Sequence, residues 1–358
     1  MSVPVASERV RATCGRAGGP ADRYRGVQSA TWAMGTLITQ HVSGERVAEA
    51  LVAAEAEIAR LEGLLSRFRS TSEISALGRS SGSDSVAVRP ETLDVLSQAT
   101  EFSLMSGGRF DVTVGPVADV WRLGKAESRV PEPSEIERAL ALVDYRDLIL
   151  DRDLRTAGLR RAGQTVDVGG IGKGYAADRV LRVYSEHGVE SGCLNLGGNV
   201  AALGTKPDGS PWRVGIRHPR GEDELLGLVC VADKSVVTSG DYERGFTDRE
   251  GNYHHHILDP TTGYPSESGL ASVTVVADSS TVADALSTVA FLAGFEQGYA
   301  FIRACTGVEA IFVDAASQVH LTPGLKDTFQ PAEGVDVVVM GAEEMPRCPS
   351  GREGKEEC

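Results

Sequence analysis

The chain has 358 residues, of which 41% are hydrophobic, and its formal net charge is −14 at pH 7. This length and composition predict one large domain or two smaller ones with a substantial core. The acidic balance disfavours a broad nucleic-acid or anionic-membrane surface, although a local basic pocket for phosphate stays compatible with it. The sequence contains no run of about 18 apolar residues, so we expect no transmembrane segment.

Two features of the chain bear on its compartment. Residues 1–27 are Arg-rich, lack the apolar centre of a secretory signal, and are predicted to form a disordered arm. The basic residues of this arm leave organelle targeting open. Six cysteines follow no CxxC spacing, which predicts neither a zinc site nor a disulfide framework. We therefore expect a cytoplasmic protein.

The first third of the chain is predicted to form structural elements of the core. Residues 27–42 alternate like one strand, and Gly35 inside it predicts a bulge or a close backbone approach. Apolar residues then recur at spacings of three and four over residues 47–65, which predicts a long amphipathic helix. A second helix is expected to begin at Pro90 and to end at the Gly107-Gly108 pair.

Residues 109–116 alternate like a strand and carry one carboxylate, Asp111. That carboxylate is either a ligand or a turn acceptor.

The stretch at residues 165–178 predicts a short strand, a turn with four glycines and then a helix. Glycines let the backbone approach a ligand, and a helix N-terminus offers N–H groups to an anion. The segment therefore suits a phosphate-bearing ligand, with Lys173 adding charge. Val168 and Gly174 rule out a P-loop, and Tyr175 rules out a dinucleotide fingerprint. A purely structural turn is the alternative.

A second strand that ends in two glycines follows at residues 193–199, and a β-rich stretch extends to residue 240. Three of the seven histidines then occur together at residues 254–256. In an extended segment His254 and His256 share one face, as two metal ligands would. No Cys or Glu at zinc-like spacing accompanies them, so a zinc site is disfavoured.

The last motif lies on a predicted helix that Ser280 or Thr281 caps, after a strand at residues 271–277. Asp284 and Thr288 are four residues apart and share one face of that helix. A carboxylate and a hydroxyl are hard oxygen ligands that suit Mg²⁺. The alternative is an exposed polar face.

Eight short motifs occur in a recognisable order. They are Met-Gly-Thr, Ser-Glu-Ile-Ser, Phe-Asp-Val-Thr-Val-Gly-Pro, Asp-Val-Gly-Gly-Ile-Gly-Lys-Gly-Tyr-Ala, Asn-Leu-Gly-Gly-Asn, Thr-Ser-Gly-Asp-Tyr, His-Ile-Leu-Asp-Pro-Thr-Thr-Gly-Tyr-Pro and Ala-Asp-Ala-Leu-Ser-Thr. In this order the motifs closely resemble the ApbE family of FAD:protein FMN transferases, from about Met34 to beyond Gly294. The resemblance implies an enzyme that uses Mg²⁺ to cleave the FAD pyrophosphate and attaches FMN through a phosphoester to a Thr or Ser hydroxyl of an acceptor protein.

The resemblance also implies roles for individual residues. Asp284, Thr288 and the backbone carbonyl of Gly170 would bind the metal, and Asp284 and His256 would be catalytic, with His256 as the general base. The FAD site would be lined by Met34, Phe68, Phe110, Asp111, Asp167, Lys173, Gly197, Gly198, Asn199 and Ile257. The chain departs from many relatives at three positions, where Phe replaces Tyr (Phe68), Gly replaces Ala (Gly172) and Asn replaces Asp (Asn199). At Ser287 it departs from some relatives, which carry an acid there.

For the architecture we expect an α+β fold with mixed, largely antiparallel sheets flanked by helices, similar to the ApbE or T-fold type. The catalytic domain would span residues 28–325, and residues 326–358 would form an extension with a charged, disordered tail.

Family acceptors carry a Thr in a segment of the type Asp-Gly/Ser-Ala/Ser-Thr-Gly/Ser-Ala-Thr/Ser. Residues 278–283 are superficially similar, but they lie at the predicted helix cap, so self-modification is not expected. Two other activities fit the same residues, an FAD pyrophosphatase and a non-catalytic flavin-binding protein.

Overall fold

The computed structural model describes residues 26–123, 128–221 and 223–341. Most of the predicted N-terminal arm and of the charged tail lies outside these residues. Within them the chain forms seven α-helices and seventeen β-strands. The helices are α1 (Val47–Leu65), α2 (Glu73–Arg79), α3 (Pro90–Met105), α4 (Gly115–Trp121), α5 (Pro133–Leu140), α6 (Gly172–Glu186) and α7 (Ser280–Ala304). The strands are β1 (Val27–Ala33), β2 (Thr36–Gly44), β3 (Val86–Ala87), β4 (Leu148–Asp151), β5 (Thr156–Leu159), β6 (Val189–Leu196), β7 (Asn199–Leu203), β8 (Trp212–Arg217), β9 (Leu225–Val231), β10 (Ser235–Gly240), β11 (Gly245–Thr247), β12 (Tyr253–His255), β13 (Leu270–Ala277), β14 (Glu309–Asp314), β15 (Val319–Leu321), β16 (Phe329–Pro331) and β17 (Val337–Val339).

A nine-stranded sheet runs through the described chain in the order β1-β2-β6-β7-β10-β13-β14-β15-β17. Its neighbouring strands pair antiparallel, apart from the parallel pair β15 and β17. Smaller sheets have the orders β16-β9-β8 and β3-β5-β4, and β11 pairs with β12 as a hairpin. The predicted α+β fold with largely antiparallel sheets is confirmed.

Apolar side chains cover the large sheet on both faces. On one face α1, α3 and α6 share a core with β2 and β6, and α7 packs on Val237, Val273 and Val275. On the other face Trp212 and Phe329 from the small sheet pack against the large sheet. Burial on both sides explains why β13 is buried along its whole length.

Residues 27–42 form a hairpin, so the prediction of one strand was wrong. Trp32 pairs with Leu37, and Ala33 pairs with Thr36. The two residues between them have positive φ angles, +51° at Met34 and +70° at Gly35. A two-residue turn of this kind matches the twist of a hairpin, and the chain lacks the Asn-Gly signature that usually signals it.

The predicted strand at residues 109–116 is also wrong. The Asp111 side chain accepts a hydrogen bond from the Thr113 backbone N–H at 2.8 Å, which starts a turn of 3₁₀ helix. Helix α4 then begins at Gly115, with Pro116 in its first turn. A capping carboxylate and an N-terminal proline therefore outweigh the alternation of β-branched residues.

The segment before α6 belongs to no sheet, contrary to the predicted strand at residues 165–168. Its backbone is fixed instead by the Asp167 N–H, which donates to the Val112 carbonyl at 2.7 Å. The helix after the glycine turn is confirmed as α6.

The ordered fold continues past residue 325. Strand β16 pairs with β9, and β17 pairs with β15 in the large sheet. Among the described residues, no helix has the length and apolar character that crossing a membrane requires.

Candidate functional site

The site lies where the N-terminal turn of α6 meets α7. The Gly174 backbone N–H donates to Asp284 Oδ2 at 2.8 Å. A Cβ atom on Gly174 would lie 2.3 Å from the Ser280 carbonyl oxygen and 2.7 Å from Asp284 Cβ. Only glycine therefore permits this approach of the two helices, and the approach brings the α6 N-terminus against a carboxylate.

The other two predicted metal ligands lie beside this contact. A Cβ atom on Gly170 would be 3.3 Å from Thr288 Oγ1 and 3.0 Å from Phe110 Cε2. Thr288 is one helical turn beyond Asp284, and its hydroxyl lies 3.3 Å from the Asp284 carbonyl oxygen. The structure thus places Gly170 and Phe110 beside Thr288, one helical turn beyond Asp284.

The Asp284 carboxylate is nearly inaccessible, with 4% of the residue exposed. Burial raises its pKa, while the charge of Lys173, the Gly174 N–H and the Asn199 amide act in the opposite direction. Lys173 Nζ itself donates to Asn199 Oδ1 at 3.0 Å. A buried carboxylate compensated in this incomplete way favours a cationic ligand.

Asp178 holds the two helices together, a role that the sequence analysis missed. Its carboxylate accepts hydrogen bonds from Ser279 Oγ, the Ser280 and Thr281 N–H groups and Thr281 Oγ1, at 2.6 to 2.9 Å. Ser279 is the N-cap of α7, with its hydroxyl accepting from Val282, so the predicted caps were one and two residues too late. The Thr281 hydroxyl is consequently buried and engaged.

His256 has a defined tautomer. Its backbone N–H and its ring Nδ1 both lie within hydrogen-bond distance of the Arg244 carbonyl oxygen, at 3.0 and 3.2 Å. A carbonyl only accepts, so Nδ1 carries the proton and Nε2 is left with its lone pair. Burial and the positive charge of Arg244 lower the pKa of His256 to about 4, and Lys173 contributes in the same direction.

The neighbouring histidines have structural contacts. His254 Nε2 lies 2.8 Å from Asp248 Oδ2, and His255 Nε2 lies 2.9 Å from the Ser266 carbonyl oxygen. Within the described residues, no group of three or more His, Cys, Asp or Glu side chains is arranged to hold a metal ion. Any cation at Asp284 would therefore depend on hydroxyl, carbonyl, water or phosphate oxygens.

Asp167 shapes the glycine turn. Its Oδ1 accepts from the Gly169 N–H at 2.8 Å, and its Oδ2 lies 2.7 Å from Arg67 Nη1. Arg67 also contacts Asp119 at 2.9 Å, and its guanidinium lies 5.6 Å from the centre of the Phe68 ring. Sequence reasoning did not find Arg67, because its two acidic partners are distant in the chain.

A cleft of about 480 Å³ opens beside this ion pair, and Arg67, Phe68, Asp119 and Thr165 are among the residues that line it. The Phe68 residue is 74% exposed. An exposed aromatic ring at the edge of a cleft is a suitable surface for stacking a planar ligand.

The remaining predicted FAD residues lie on turns and loops. Gly197 has a φ of +57° and packs against the first residue of β2, where a Cβ atom on it would lie 2.1 Å from Thr36 Oγ1. Met34 lies in the turn of the hairpin that β1 and β2 form. The Gly198 N–H donates to Asn195 Oδ1 at 2.8 Å. Ile257 follows His256 and is buried.

Both Asp111 oxygens accept from protein groups, Thr113 and the Tyr145 N–H. This bonding supports the interpretation of Asp111 as a turn acceptor. Its contact with FAD stays a prediction.

Comparison with known proteins adds independent information. A sequence model of the ApbE family matches residues 34–312. The FAD:protein FMN transferase of Treponema pallidum is 36% identical over 331 residues, which cover 87% of this chain and 91% of that protein. The protein of the same name from Klebsiella pneumoniae is 34% identical, over 77% of this chain and 85% of its own length.

Solved structures agree with this match. The ApbE protein of Thermotoga maritima superposes with a TM-score of 0.78 and 31% identity, over 85% of this chain and 99% of that one. The apo flavinyl transferase ApbE of Pseudomonas stutzeri gives a TM-score of 0.75 and 30% identity, over 86% and 98% of the two chains. The chain is a member of the ApbE family.

Proposed function

We propose that this protein is an FAD:protein FMN transferase. It would move the FMN half of FAD onto a Thr or Ser hydroxyl of an acceptor protein through a phosphoester bond and release AMP. The proposal is supported by the names of the relatives and by one observation above the others, the convergence of Gly170, Asp284 and Thr288 beside the N-terminus of α6.

The metal that we propose is Mg²⁺, bound by Asp284, Thr288 and the Gly170 carbonyl. The donors are oxygens of the kind that Mg²⁺ prefers, and the small number of protein ligands leaves room for water and phosphate. The buried carboxylate, with its pKa raised, supports the presence of a cation. A bound Mg²⁺ would neutralise charge on the pyrophosphate and on the departing AMP.

His256 is proposed as the general base. Because its pKa is lowered to about 4, the ring is neutral at pH 7, and the Arg244 carbonyl keeps the lone pair on Nε2. The acceptor oxygen would attack the phosphorus of the FMN half and lose its proton to Nε2. The bond from that phosphorus to the oxygen bridging it to the AMP phosphate would break, and AMP would leave.

The proposed FAD site surrounds the metal ligands. Lys173 and the α6 N-terminus supply positive charge for the pyrophosphate, and Asn199 orients the Lys173 ammonium. Phe68 offers its exposed ring for stacking, and Asp167, held by Arg67, keeps the glycine turn in shape. We assign Met34, Phe110, Asp111, Gly197, Gly198 and Ile257 to the same site.

The remaining assignments concern the setting of the reaction. We propose a catalytic domain over residues 28–325, to whose sheets β16 and β17 of the C-terminal extension add, and a cytoplasmic location. The acceptor would be a separate protein with a flavinylation-type Thr segment. The buried Thr281 hydroxyl, bonded to Asp178, supports an acceptor outside this chain.

The test incubates the full chain with FAD, Mg²⁺ and a domain that carries the acceptor Thr, followed by the intact mass of both proteins. The acceptor with Thr replaced by Ala, Asp284→Ala and an EDTA sample run in parallel. We expect an FMN-sized mass gain on the acceptor that is absent from all three controls. Release of FMN and AMP without an adduct would replace the proposal with an FAD pyrophosphatase. Intact FAD throughout would reduce the protein to a flavin binder.

A further inference from the structure

Three hydroxyl groups lie in one cluster beneath the proposed metal site. Ser239 Oγ, on β10, lies 2.8 Å from Ser287 Oγ and 3.2 Å from Thr288 Oγ1. Ser287 Oγ lies 2.9 Å from the Asp284 carbonyl oxygen, and Thr288 Oγ1 lies 3.3 Å from it. Ser239 is two residues beyond Val237, so both side chains face α7.

We assign the direction of each hydrogen bond by counting donors and acceptors. In an α-helix the Asp284 carbonyl accepts the backbone N–H four residues on, and the Ser287 hydroxyl takes its second lone pair. The Thr288 hydroxyl lies within reach of that carbonyl at 3.3 Å and of Ser239 Oγ at 3.2 Å, and we assign its proton to the nearer Ser239 Oγ. Ser239 then donates to Ser287, and Ser287 donates to the Asp284 carbonyl.

We propose that Ser239 and Ser287 form a hydroxyl relay that positions Thr288 as a metal ligand. The relay directs the Thr288 hydroxyl proton towards the sheet. The lone pairs of the Thr288 oxygen then point away from the sheet, where they can bind the metal. Such outer partners orient ligands and raise their affinity for the metal. Ser239 is a positioning residue in this scheme, because it acts through Thr288.

The relay also gives Ser287 a defined role. Ser287 is fully buried, and its hydroxyl is engaged on the sheet side of α7. In this scheme Ser287 supports the site from the sheet side of α7 and does not itself bind the metal.

Because the inference rests on the proposed metal site, its test measures metal affinity directly. Mn²⁺ is titrated into FAD-saturated protein, and free Mn²⁺ is followed by EPR. Ser239→Ala is expected to weaken Mn²⁺ binding by about tenfold, the usual effect of losing an outer partner. Ser239→Thr keeps a hydroxyl and is expected to restore most of the affinity.

The chain supplies a matched control in Thr238. This residue is adjacent on β10, and its hydroxyl lies 2.8 Å from Thr274 Oγ1. Thr238→Ala therefore removes a comparable hydroxyl pair and should leave Mn²⁺ affinity unchanged. Equal affinities of Ser239→Ala and Thr238→Ala would overturn the relay, provided that thermal unfolding shows both to be folded. If Thr288→Ala also binds Mn²⁺ as the wild type does, the metal assignment fails, and the relay with it.

Discussion

Replacement of Gly174 by Ala should damage both the stability and the activity of the protein. The new Cβ atom would lie 2.3 Å from the Ser280 carbonyl oxygen, and all three contacts closer than 3 Å involve α7. Ordinary packing distances would require the two helices to separate by roughly 1 Å. Overpacking against atoms that cannot rotate away costs about 3 kcal/mol of unfolding free energy, the upper end of the usual range.

The same separation would stretch the hydrogen bond from the Gly174 N–H to Asp284. A displacement of about 1 Å at a catalytic group lowers the rate about 100-fold. The control is Gly172→Ala in the same helix, whose Cβ would make an ordinary 3.5 Å contact with Val168 Cγ2. That variant should keep its activity and lose no stability, because Ala is a better helix former than Gly.

The assays are urea unfolding and initial rates of FMN transfer for the two variants. If Gly174→Ala unfolds within about 0.5 kcal/mol of the wild type and retains its rate, the tight approach of α6 and α7 does not hold the site together.

Three further predictions address the base and the helix cap. His256→Gln should abolish most transfer but leave FAD affinity within about threefold, whereas equal losses would refute the base role. A pKa lowered to about 4 means that the folded state disfavours the protonated ring, so the wild type should lose stability relative to His256→Gln as pH falls from about 6.5 to 4. A constant stability difference between pH 7 and 4 in urea unfolding would contradict the lowered pKa of this ring. Asp178→Ala removes four hydrogen bonds from the N-terminus of α7 and should lower the free energy of unfolding in urea by about 2–3 kcal/mol. Asp178→Asn should lower it less. A loss below about 1 kcal/mol for Asp178→Ala would contradict the role of Asp178 in holding α6 and α7 together.

Local patterns carried much of the prediction. The spacing of Asp284 and Thr288 on one helix, and the glycine turn before α6, are visible in the sequence because both depend on neighbouring residues. The order of the motifs then identified the family. That Gly174 bonds to Asp284 depends on packing between segments 110 residues apart, which no local pattern reports.

Two of the wrong strand assignments had local causes. Residues 109–116 alternate as a strand would, but Asp111 caps a turn and Pro116 starts a helix. The hairpin at Met34 uses a residue that rarely adopts positive φ, so the usual turn signal is missing. The roles of Arg67 and Asp178 could not be predicted, because both residues form hydrogen bonds or ion pairs with residues far along the chain.

The most direct test of the account is a crystal structure of the protein with FAD and Mn²⁺, in which anomalous scattering locates the metal. We predict a peak within about 2.2 Å of an Asp284 carboxylate oxygen, Thr288 Oγ1 and the Gly170 carbonyl oxygen, with the FAD pyrophosphate completing its coordination. A peak that avoids these three atoms, or a pyrophosphate bound away from the N-terminus of α6, would contradict the proposed site.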